Sequence, residues 1–392
     1  MVGNTFGRIF RITTSGESYG GGFRKHLKIP KELFGGLLTI VDGVPPGIKL
    51  TPDMIQRELD KRKPGQSKLD SPRKETDRVY IFSGVMEHDL TTGAPVGLVI
   101  PNVDIQDIHI KQYEEYKDII RPGHAEYGFF KKYGQYADWT GAGRASGRET
   151  ASRVAGGAVA KAILNKMGID VIGYVIESHG IRAGFVSYEM ARKNYRKNEL
   201  NCPDLKKADE MIKDILAVKE EGDTAGGVIE VIVKGVPAGL GEPVFDKISA
   251  RLGYAIMGIG AVKGMEIGSG FEMARMKGSE SNDPAYIDKK SGRVRFRTNH
   301  AGGILGGIST GEEIRIRVAV KPTPTISVPQ ETVDMLKEKN VTLKPITRRD
   351  PSICPRIYPV CEAMVRCVIL DLIYMAKGYE AVAGIDKKWT NL

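Results

Sequence analysis

The most restrictive feature of this sequence is the segment Asn299–Gly311, NHAGGILGGISTG, which has five glycines in thirteen residues. Glycine at this density disfavours a helix or strand interior and favours tight turns. It also leaves backbone without Cβ atoms, against which a flat ligand can lie. The whole chain shares the bias, since 47 of its 392 residues are glycine, about 12% against a usual 7%.

The remaining composition is that of an ordinary globular protein, with 41% hydrophobic and 27% charged residues. It excludes collagen-like, mucin-like and largely disordered chains. The four cysteines, Cys202, Cys354, Cys361 and Cys367, are too few and too irregular for a disulfide framework or a zinc site. We therefore expect free thiols in a reducing compartment and no metal.

No segment has the roughly 18 uninterrupted apolar residues that a membrane span needs. The nearest, Val360–Met375, is interrupted by Glu362, Arg366 and Asp371. The N-terminus lacks a basic segment followed by an apolar one, so no signal peptide is predicted. The expectation is a cytoplasmic protein with no membrane partner.

The formal charge is +10, from 58 basic and 48 acidic residues. The excess lies towards the two ends of the chain, around 57–78, 293–297, 315–317 and 344–356. Charge alone is compatible with a nucleic-acid surface, a cavity for a small polyanion, or a solvated basic surface. It favours the last of these unless a motif indicates otherwise.

Apolar runs bounded by turn residues predict strands and helices that alternate without a regular βαβ rhythm. The predicted class is α+β, in a single domain 1–392 with large inserted loops and a C-terminal tail at 379–392. The predicted strands are Gly36–Asp42, Val79–Ser83, Val96–Pro101, Val171–Ile176, Gly227–Gly235 and Ile314–Val320. The predicted helices are Pro52–Arg62, Glu149–Met167, Asp204–Glu220, Thr332–Lys339 and Val360–Lys377.

Gly16–Gly20, GESYG, matches the nucleophile elbow G-x-S-x-G and makes Ser18 a candidate catalytic residue. That elbow should open a helix, but Gly21 and Gly22 follow here, which disfavours a serine hydrolase. Two further glycine-rich stretches begin at Gly141 and Gly258, and neither has Rossmann spacing.

The stretch from Gly141 leads into the predicted helix at Glu149. Arg144, Ser146 and Arg148 therefore form a candidate anion site at a helix N-terminus. A plain capped turn is the alternative interpretation.

His124 lies in the stiff turn Arg121-Pro122-Gly123-His124, a setting typical of catalytic loops. A structural role is the alternative for a single histidine. Lys321–Thr325, KPTPT, offers a cation and hydroxyls on a rigid loop, or it is simply a hairpin connection.

Taken together, these segments resemble the chorismate synthase family, in the same order from residue 3 to about residue 378. The resemblance includes Asn4–Gly20, Asp60–Ser67, Arg121–Gly128, Gly143–Lys161, Gly260–Phe271, Asn299–Gly311, Lys321–Thr325 and Arg348–Met364. It implies a β-α-β sandwich with antiparallel sheets and a homotetramer. The implied reaction is the 1,4-anti elimination of phosphate from 5-enolpyruvylshikimate 3-phosphate, which gives chorismate.

The resemblance also implies reduced FMN as a cofactor that undergoes no net redox change. The residues implied to contact FMN are Arg144, Ala145, Ser146, Gly260, Ala261, Gly306, Lys321, Pro322, Thr323, Pro324, Thr325 and Arg348. Those implied to face the anionic substrate are Arg62, Lys68, Arg148 and Arg348, and the first two are linked to NADPH in members that reduce their own flavin. His124 is the implied acid and Asp350 the implied proton relay, with Ser18 and Ser146 as further candidate catalytic residues.

Three positions depart from the family pattern, and the segment Gly21–Leu37 is longer than is usual in the family. The first is Arg349, which stands where the family has a histidine and keeps a positive charge. Tyr19 stands where the family has a histidine that acts as a general acid. With an ordinary pKa near 10, tyrosine is a weaker acid than histidine. Tyr19 either replaces the histidine as a hydrogen-bonding or proton-donating group or occupies the position without a catalytic role. Lys68 replaces an arginine and keeps its charge but not its fork geometry. The alternative function is a basic RNA-binding protein, disfavoured by only 7% aromatic residues.

Overall fold

The computed structural model describes residues 3–18, 36–70, 75–103, 107–343 and 350–377. Tyr19, Arg348 and the tail 379–392 lie outside these ranges, as does most of the glycine-rich segment that follows Gly20.

A first antiparallel sheet is built from the N-terminal quarter of the chain. Its strands are β1 Thr5–Phe6, β2 Arg11–Ser15, β3 Gly36–Asp42, β4 Tyr80–Ser83 and β7 Val96–Pro101. These five strands run in the spatial order β1-β2-β3-β7-β4. Inward and outward side chains alternate along β3, so one face is buried and the other is exposed. The predicted bounds of β3 and β7 are confirmed.

A second antiparallel sheet comes from the middle of the chain, in the order β11-β16-β10-β8-β9. Its central strands are almost wholly buried, which their continuous Val and Ile content explains. The strands are β8 Asp170–Ser178, β9 Ile181–Arg182, β10 Gly227–Lys234, β11 Val262–Ile267 and β16 Ile314–Val320. The predicted strands on β8, β10 and β16 are confirmed.

Short two-stranded hairpins complete the described strands. They are β5 Val85–Met86 with β6 Leu90–Thr91, β12 Ala285–Ile287 with β13 Val294–Phe296, β14 Ile304–Leu305 with β15 Ile308–Ser309, and β17 Gln330–Asp334 with β18 Lys339–Leu343. The last hairpin corrects the prediction of a helix at Thr332–Lys339. The backbone there pairs with a neighbouring segment of the same chain, since the Ile120 N–H donates to the Val333 carbonyl at 3.1 Å.

The predicted helices at 52–62, 149–167 and 204–220 are confirmed with shifts of one or two residues at their ends, and the helix predicted at 360–377 is confirmed but begins six residues earlier. Thr51 caps the first, and its Oγ1 accepts from the Met54 N–H at 3.2 Å. The helices are α1 Pro52–Asp60, α2 Asp107–Tyr116, α3 Glu126–Tyr133, α4 Thr150–Lys166, α5 Tyr188–Asn194, α6 Leu205–Glu220, α7 Ile248–Met257, α8 Gly278–Ser281 and α9 Cys354–Lys377.

Helices α4 and α9 lie between the two sheets and pack on each other. Helix α4 contacts β2 and β3, whereas α9 contacts β8 and β10. Close packing is possible because Gly157 has no side chain, and a Cβ there would lie 2.3 Å from the Ala363 Cβ. This arrangement is a β-α-β sandwich, and the α+β class is confirmed.

The sequence predicts that helix α9 is buried on one side only. In the structure the helix is buried on all sides. Its charged residues are accommodated by partners within the helix and by partners far away in the sequence. Arg366 pairs with Glu58 of α1 at 2.7 Å and with Glu362 at 3.0 Å. Asp371 accepts hydrogen bonds from the backbone N–H groups of 8–10 at 2.8–3.1 Å. No helix in the described ranges is long and apolar enough to cross a membrane.

Candidate functional site

Two arginines predicted to bind an anionic substrate lie side by side in the interior. Arg62 follows the end of α1, and its Nη1 is 2.5 Å from Asp77 Oδ2. Arg148 precedes α4, and its Nη1 is 2.5 Å from both Asp77 Oδ1 and Glu75 Oε2. One buried carboxylate therefore bridges both guanidinium groups. We call Arg62, Asp77 and Arg148 the arginine pair and its bridge.

Burial and charge oppose each other in this group. Burial alone would raise the pKa of Asp77, but Arg62 and Arg148 outweigh it and hold the pKa below its ordinary value. Burial lowers the pKa of Arg62 despite Asp77, whereas Asp77 and Glu75 outweigh burial and raise the pKa of Arg148. The site thus has two fixed cations and two internal counter-charges.

The N-terminal motif is attached to this group through Asn102. Arg148 Nε donates to Asn102 Oδ1, and Asn102 Nδ2 donates to the Ser18 carbonyl at 2.8 Å. The carbonyl of Ser18, rather than its hydroxyl, therefore makes this contact. Arg144 donates to the Gly16 carbonyl at 3.0 Å and to Thr14 Oγ1 at 2.7 Å.

Ser146 is a capping residue in this structure. Its Oγ accepts from the Arg148 N–H at 3.2 Å, where a short 3₁₀ turn leads into α4. Ala145 precedes it at the end of another 3₁₀ turn. The structure therefore places 144–148 beside the N-terminal strands and next to Arg62 and Asp77.

His124 lies on the turn before α3, with its side chain 20% exposed. The turn is tight because Gly123 has φ +70°, and a Cβ there would come within 3.1 Å of Pro324. Lys321 Nζ donates to the Gly123 carbonyl. The His124 turn and the Lys321–Thr325 loop are therefore packed together, although the sequence separates them by about two hundred residues.

The Lys321–Thr325 loop also joins two other predicted segments. The Lys321 N–H donates to the Ala261 carbonyl at 3.0 Å, and Thr323 Oγ1 donates to the Asp350 carbonyl at 2.8 Å. Ala261 adopts φ +72°, a left-handed conformation that L side chains rarely adopt. Such conformations cost of order 1–3 kcal/mol and cluster at functional sites.

Asp350 is linked to the arginine pair by Arg356 of α9. Arg356 Nη1 is 3.0 Å from Asp350 Oδ2, and its Nε donates to the Arg62 carbonyl at 3.1 Å. Four segments predicted separately are thus connected in series. They run from the His124 turn through the Lys321–Thr325 loop and Asp350 to Arg62.

The convergence has features that fit a flavin mononucleotide. A Cβ built on Gly260 meets no atom of the described residues within 4 Å, so the backbone there is open to a ligand. Burial and the neighbouring Lys263 both lower the pKa of Lys321. Two repelling ammonium groups favour an anion between them, as a flavin phosphate would provide.

Gly306 lies at the opposite end of α7 from Gly260 and Ala261, and Lys68 lies on the surface. Gly307 accepts from the Ile248 N–H at 2.9 Å at the start of α7, whereas Gly260 and Ala261 follow the end of that ten-residue helix. About 15 Å of helix therefore separates them. Lys68 is exposed, and its carbonyl accepts from Lys219 Nζ at 3.0 Å.

Sequence reasoning missed the acidic members of the site. Glu75 and Asp77 lie within the basic stretch 57–78, and Glu126 lies within the histidine motif, so neither setting marks them as functional. Arg356 lies among the C-terminal cations at 344–356. The available signal is the pattern ETDR at the end of the basic stretch, where acidic residues interrupt many cations.

Comparisons with known proteins show which family the chain belongs to. The family model described as chorismate synthase matches residues 10–374. This chain belongs to the chorismate synthase family. The chorismate synthase of Acetivibrio thermocellus is 68% identical over the full length of both chains. That of Methanocella arvoryzae is 48% identical over 95% of this chain and 94% of its own.

A solved structure gives the same result. A crystal structure of chorismate synthase matches with a TM-score of 0.75 and 30% identity, over 98% of both chains. The chorismate synthase family consists of carbon–oxygen lyases that act on phosphates, so the predictions of family, function and enzyme class are confirmed. None of these comparisons supports the alternative of an RNA-binding protein.

Proposed function

We propose that the convergence of the His124 turn, the Lys321–Thr325 loop, Asp350 and the arginine pair is the site of the chorismate synthase reaction. The substrate is 5-enolpyruvylshikimate 3-phosphate, and phosphate and a C6 hydrogen leave in a 1,4-anti elimination. The observation that carries the proposal is the series of contacts from Lys321 to Gly123, from Thr323 to Asp350, and from Arg356 to Arg62. It assembles at one place residues that the sequence scatters over more than two hundred positions.

The arginine pair is proposed to bind the substrate's anionic groups. A guanidinium can hold a carboxylate or phosphate through two parallel hydrogen bonds. Arg148 is shared between Asp77 and Glu75, and the Glu75 side chain is 15% exposed whereas that of Asp77 is fully buried. An incoming anion can therefore replace Glu75 at Arg148 while Asp77 keeps the two arginines in position. Lys68 and Arg348 are proposed as further anion contacts.

Reduced FMN is the proposed cofactor, and when bound it supplies electron density for the departure of phosphate and recovers it as the hydrogen leaves. Lys321 and Lys263 are suited to its phosphate because no carboxylate among their described contacts neutralises either ammonium. The open backbone at Gly260 and Ala261 would accept the ring system. Arg144, Ala145, Ser146, Gly306, Pro322, Thr323, Pro324, Thr325 and Arg348 are proposed as the remaining FMN contacts.

His124 is proposed to hold the proton that the site needs next to the flavin, and Asp350 to relay one. His124 suits this role because its ring is partly exposed on a turn that is held by Pro324 and Lys321. Asp350 has one carboxylate oxygen fixed by Arg356. Ser18, Tyr19 and Ser146 are proposed to act near the departing phosphate.

NADPH is proposed as a reductant of FMN at Arg62 and Lys68. Oxidation of NADPH by the purified protein, measured at 340 nm with FMN under anaerobic conditions, tests this. FMN-dependent oxidation supports the proposal. Absence of oxidation in a preparation that is active with chemically reduced FMN contradicts it.

We propose that the chain forms a single domain, that four chains assemble into a homotetramer, and that the protein lies in the cytoplasm. The outer face of the first sheet exposes Leu38 and Ile40 on β3 and Phe82 on β4, and Phe82 is 82% exposed. Apolar groups placed together on a sheet face are typical of an interface between subunits. The four cysteines are buried and free, which suits a reducing compartment. Light scattering on the purified chain should give four times 42.9 kDa.

The proposed reaction is tested by an anaerobic assay with dithionite-reduced FMN. Chorismate absorbance and phosphate release should rise together in equal amounts. His124→Ala and Asp350→Ala should lose most of this activity while remaining folded. No turnover by the wild type under reducing conditions would contradict the proposal.

A further inference from the structure

Glu126 is a partly buried carboxylate beside His124 that the proposed reaction does not use. It is the first residue of α3, and its Oε2 is 3.2 Å from Nδ1 of His124. Its other oxygen, Oε1, accepts from Nε of Arg121 at 2.6 Å and also from Nη2. The side chain is 16% exposed, and Oε2 is buried without a hydrogen bond among the described residues.

The charge on Glu126 is retained despite its burial. Burial alone would raise the pKa of Glu126, but His124 and Arg121 outweigh it and lower the pKa below the ordinary value. The group is therefore a carboxylate at neutral pH. One of its oxygens is committed to Arg121, and the other faces the imidazole and has no donor. A buried acceptor without a donor is costly, so the arrangement favours a proton on Nδ1.

Nδ1 of His124 has a second neighbour, which favours a lone pair rather than a proton on that nitrogen. The Ala125 N–H lies 2.9 Å from Nδ1 and donates to it. A neutral ring with its lone pair on Nδ1 satisfies Ala125 and leaves Glu126 without a donor. A ring with its proton on Nδ1 satisfies Glu126 instead. The choice between these two forms decides whether Nε2 is a fixed N–H donor or the nitrogen that takes up and releases a proton.

The other charged groups that contact this turn, within the described part of the chain, are cations. Arg121 lies on the turn itself, and Lys321 reaches it from the Lys321–Thr325 loop through the Gly123 carbonyl. Lys263 of β11 is close enough to Lys321 to lower its pKa. Glu126 is the carboxylate that, among the described residues, contacts the ring.

We propose that Glu126 is a positioning residue that holds a proton on Nδ1 of His124, so that Nε2 is the nitrogen that exchanges protons in the reaction. The proposal rests on the catalytic role proposed for His124. Nδ1–H donates to Glu126 Oε2 in the neutral and in the protonated ring. The ring then changes charge at Nε2 alone, without rotation, because its other nitrogen keeps the same partner.

The test is a ¹⁵N and ¹H NMR titration of the full chain without flavin or substrate, with the His124 signals assigned by comparison with His124→Asn. Glu126→Gln removes the negative charge at nearly constant shape. We expect the pKa of His124 to fall by about one pH unit. We also expect the ¹⁵N shifts to move from the Nδ1–H tautomer towards the Nε2–H tautomer. Glu126→Asp keeps a carboxylate and should restore part of both effects.

Glu115→Gln is the matched control, because it removes one exposed carboxylate from α2. It should leave the pKa and the tautomer of His124 unchanged. Wild-type titration and tautomer in Glu126→Gln would overturn the proposal. If Glu126→Gln does not fold, the wild type decides: a neutral His124 whose proton lies on Nε2 rather than on Nδ1 would overturn the proposal equally. Neither measurement depends on turnover. Absence of turnover would therefore contradict the proposed reaction, whereas a wild-type titration and tautomer in Glu126→Gln would contradict the role of Glu126.

Discussion

Asp350 and Arg62 are joined by a single side chain, that of Arg356. It pairs with Asp350 Oδ2 at 3.0 Å through Nη1 and donates to the Arg62 carbonyl at 3.1 Å through Nε. The two residues lie at opposite ends of the sequence, and each carries a proposed function. The geometry of the guanidinium therefore sets how the proposed proton relay lies relative to the proposed anion site.

Arg356→Lys should reduce kcat about tenfold, with a smaller change in KM. Lysine keeps the charge but cannot donate in both directions with the fork geometry of arginine. Loss of one hydrogen bond to a charged group costs about 1.5–3 kcal/mol. Steady-state kinetics with reduced FMN measures the effect. Arg182→Lys is the control, since its pair with Glu177 is 3.8 Å long and half exposed. A wild-type kcat in Arg356→Lys would refute the linking role.

Asp77→Asn should destabilise the protein by about 3–5 kcal/mol, because it leaves two buried arginines without their shared counter-charge. Guanidinium unfolding followed by circular dichroism measures the free energy. Asp60→Asn removes a partly exposed carboxylate paired with Lys63 and should change it by less than about 1 kcal/mol. Equal effects of the two substitutions would contradict the account of the arginine pair.

Stability should fall as the pH is lowered from about 5 towards 2, and Glu58 should be one source of the loss. Burial alone would raise the pKa of Glu58, but Arg366, Lys61 and Lys161 outweigh it and hold the pKa far below its ordinary value. A carboxylate with a depressed folded pKa stabilises the protein above its unfolded pKa of about 4.3. That contribution is lost as the pH falls towards the folded pKa.

Glu58→Gln should therefore flatten the decline of the unfolding free energy with pH, at the expense of lower stability at pH 7. Denaturant midpoints measured at pH 7, 5, 4 and 3 provide the test. Glu220→Gln, an exposed position on α6, should keep the wild-type slope. The same slope in Glu58→Gln and the wild type would show that the buried network does not titrate as described.

Gly157→Ala should destabilise the protein by about 1–3 kcal/mol, because the new Cβ would overlap α9 at Ala363. Gly128→Ala makes the same substitution in α3, where a Cβ meets no described atom within 4 Å. Helix propensity then dominates, and we expect a gain of about 0.5–1 kcal/mol. Thermal unfolding of the two variants should give shifts of opposite sign. Shifts of the same sign would contradict the close packing of α4 on α9.

The strands could be predicted where burial requires a continuous local run of apolar residues. Gly36–Asp42, Val96–Pro101 and Ile314–Val320 are apolar runs between turn residues, and their bounds agree with the structure. Thr332–Lys339 failed because its apolar spacing also suits a helix. Pairing of β17 with β18 and contacts to 118–120 decide its conformation, and neither is visible locally.

The site was predictable as a set of segments but not as an arrangement. The motifs identified His124, Arg148 and the Lys321–Thr325 loop, since glycine, proline and cation patterns are local. Asp77 and Glu126 could not be recognised, because their roles depend on which cations face them after folding. The same reason explains why the burial of Glu362 and Arg366 in α9 was missed.

The central claim is that the chain forms chorismate at this site with reduced FMN and no net redox change. Its most direct test is an anaerobic reaction containing a limiting amount of dithionite-reduced FMN and excess 5-enolpyruvylshikimate 3-phosphate, with chorismate counted per flavin. The account predicts many chorismates for each reduced FMN, none with oxidised FMN, and flavin still reduced at the end. No chorismate, or one chorismate for each flavin oxidised, would contradict it.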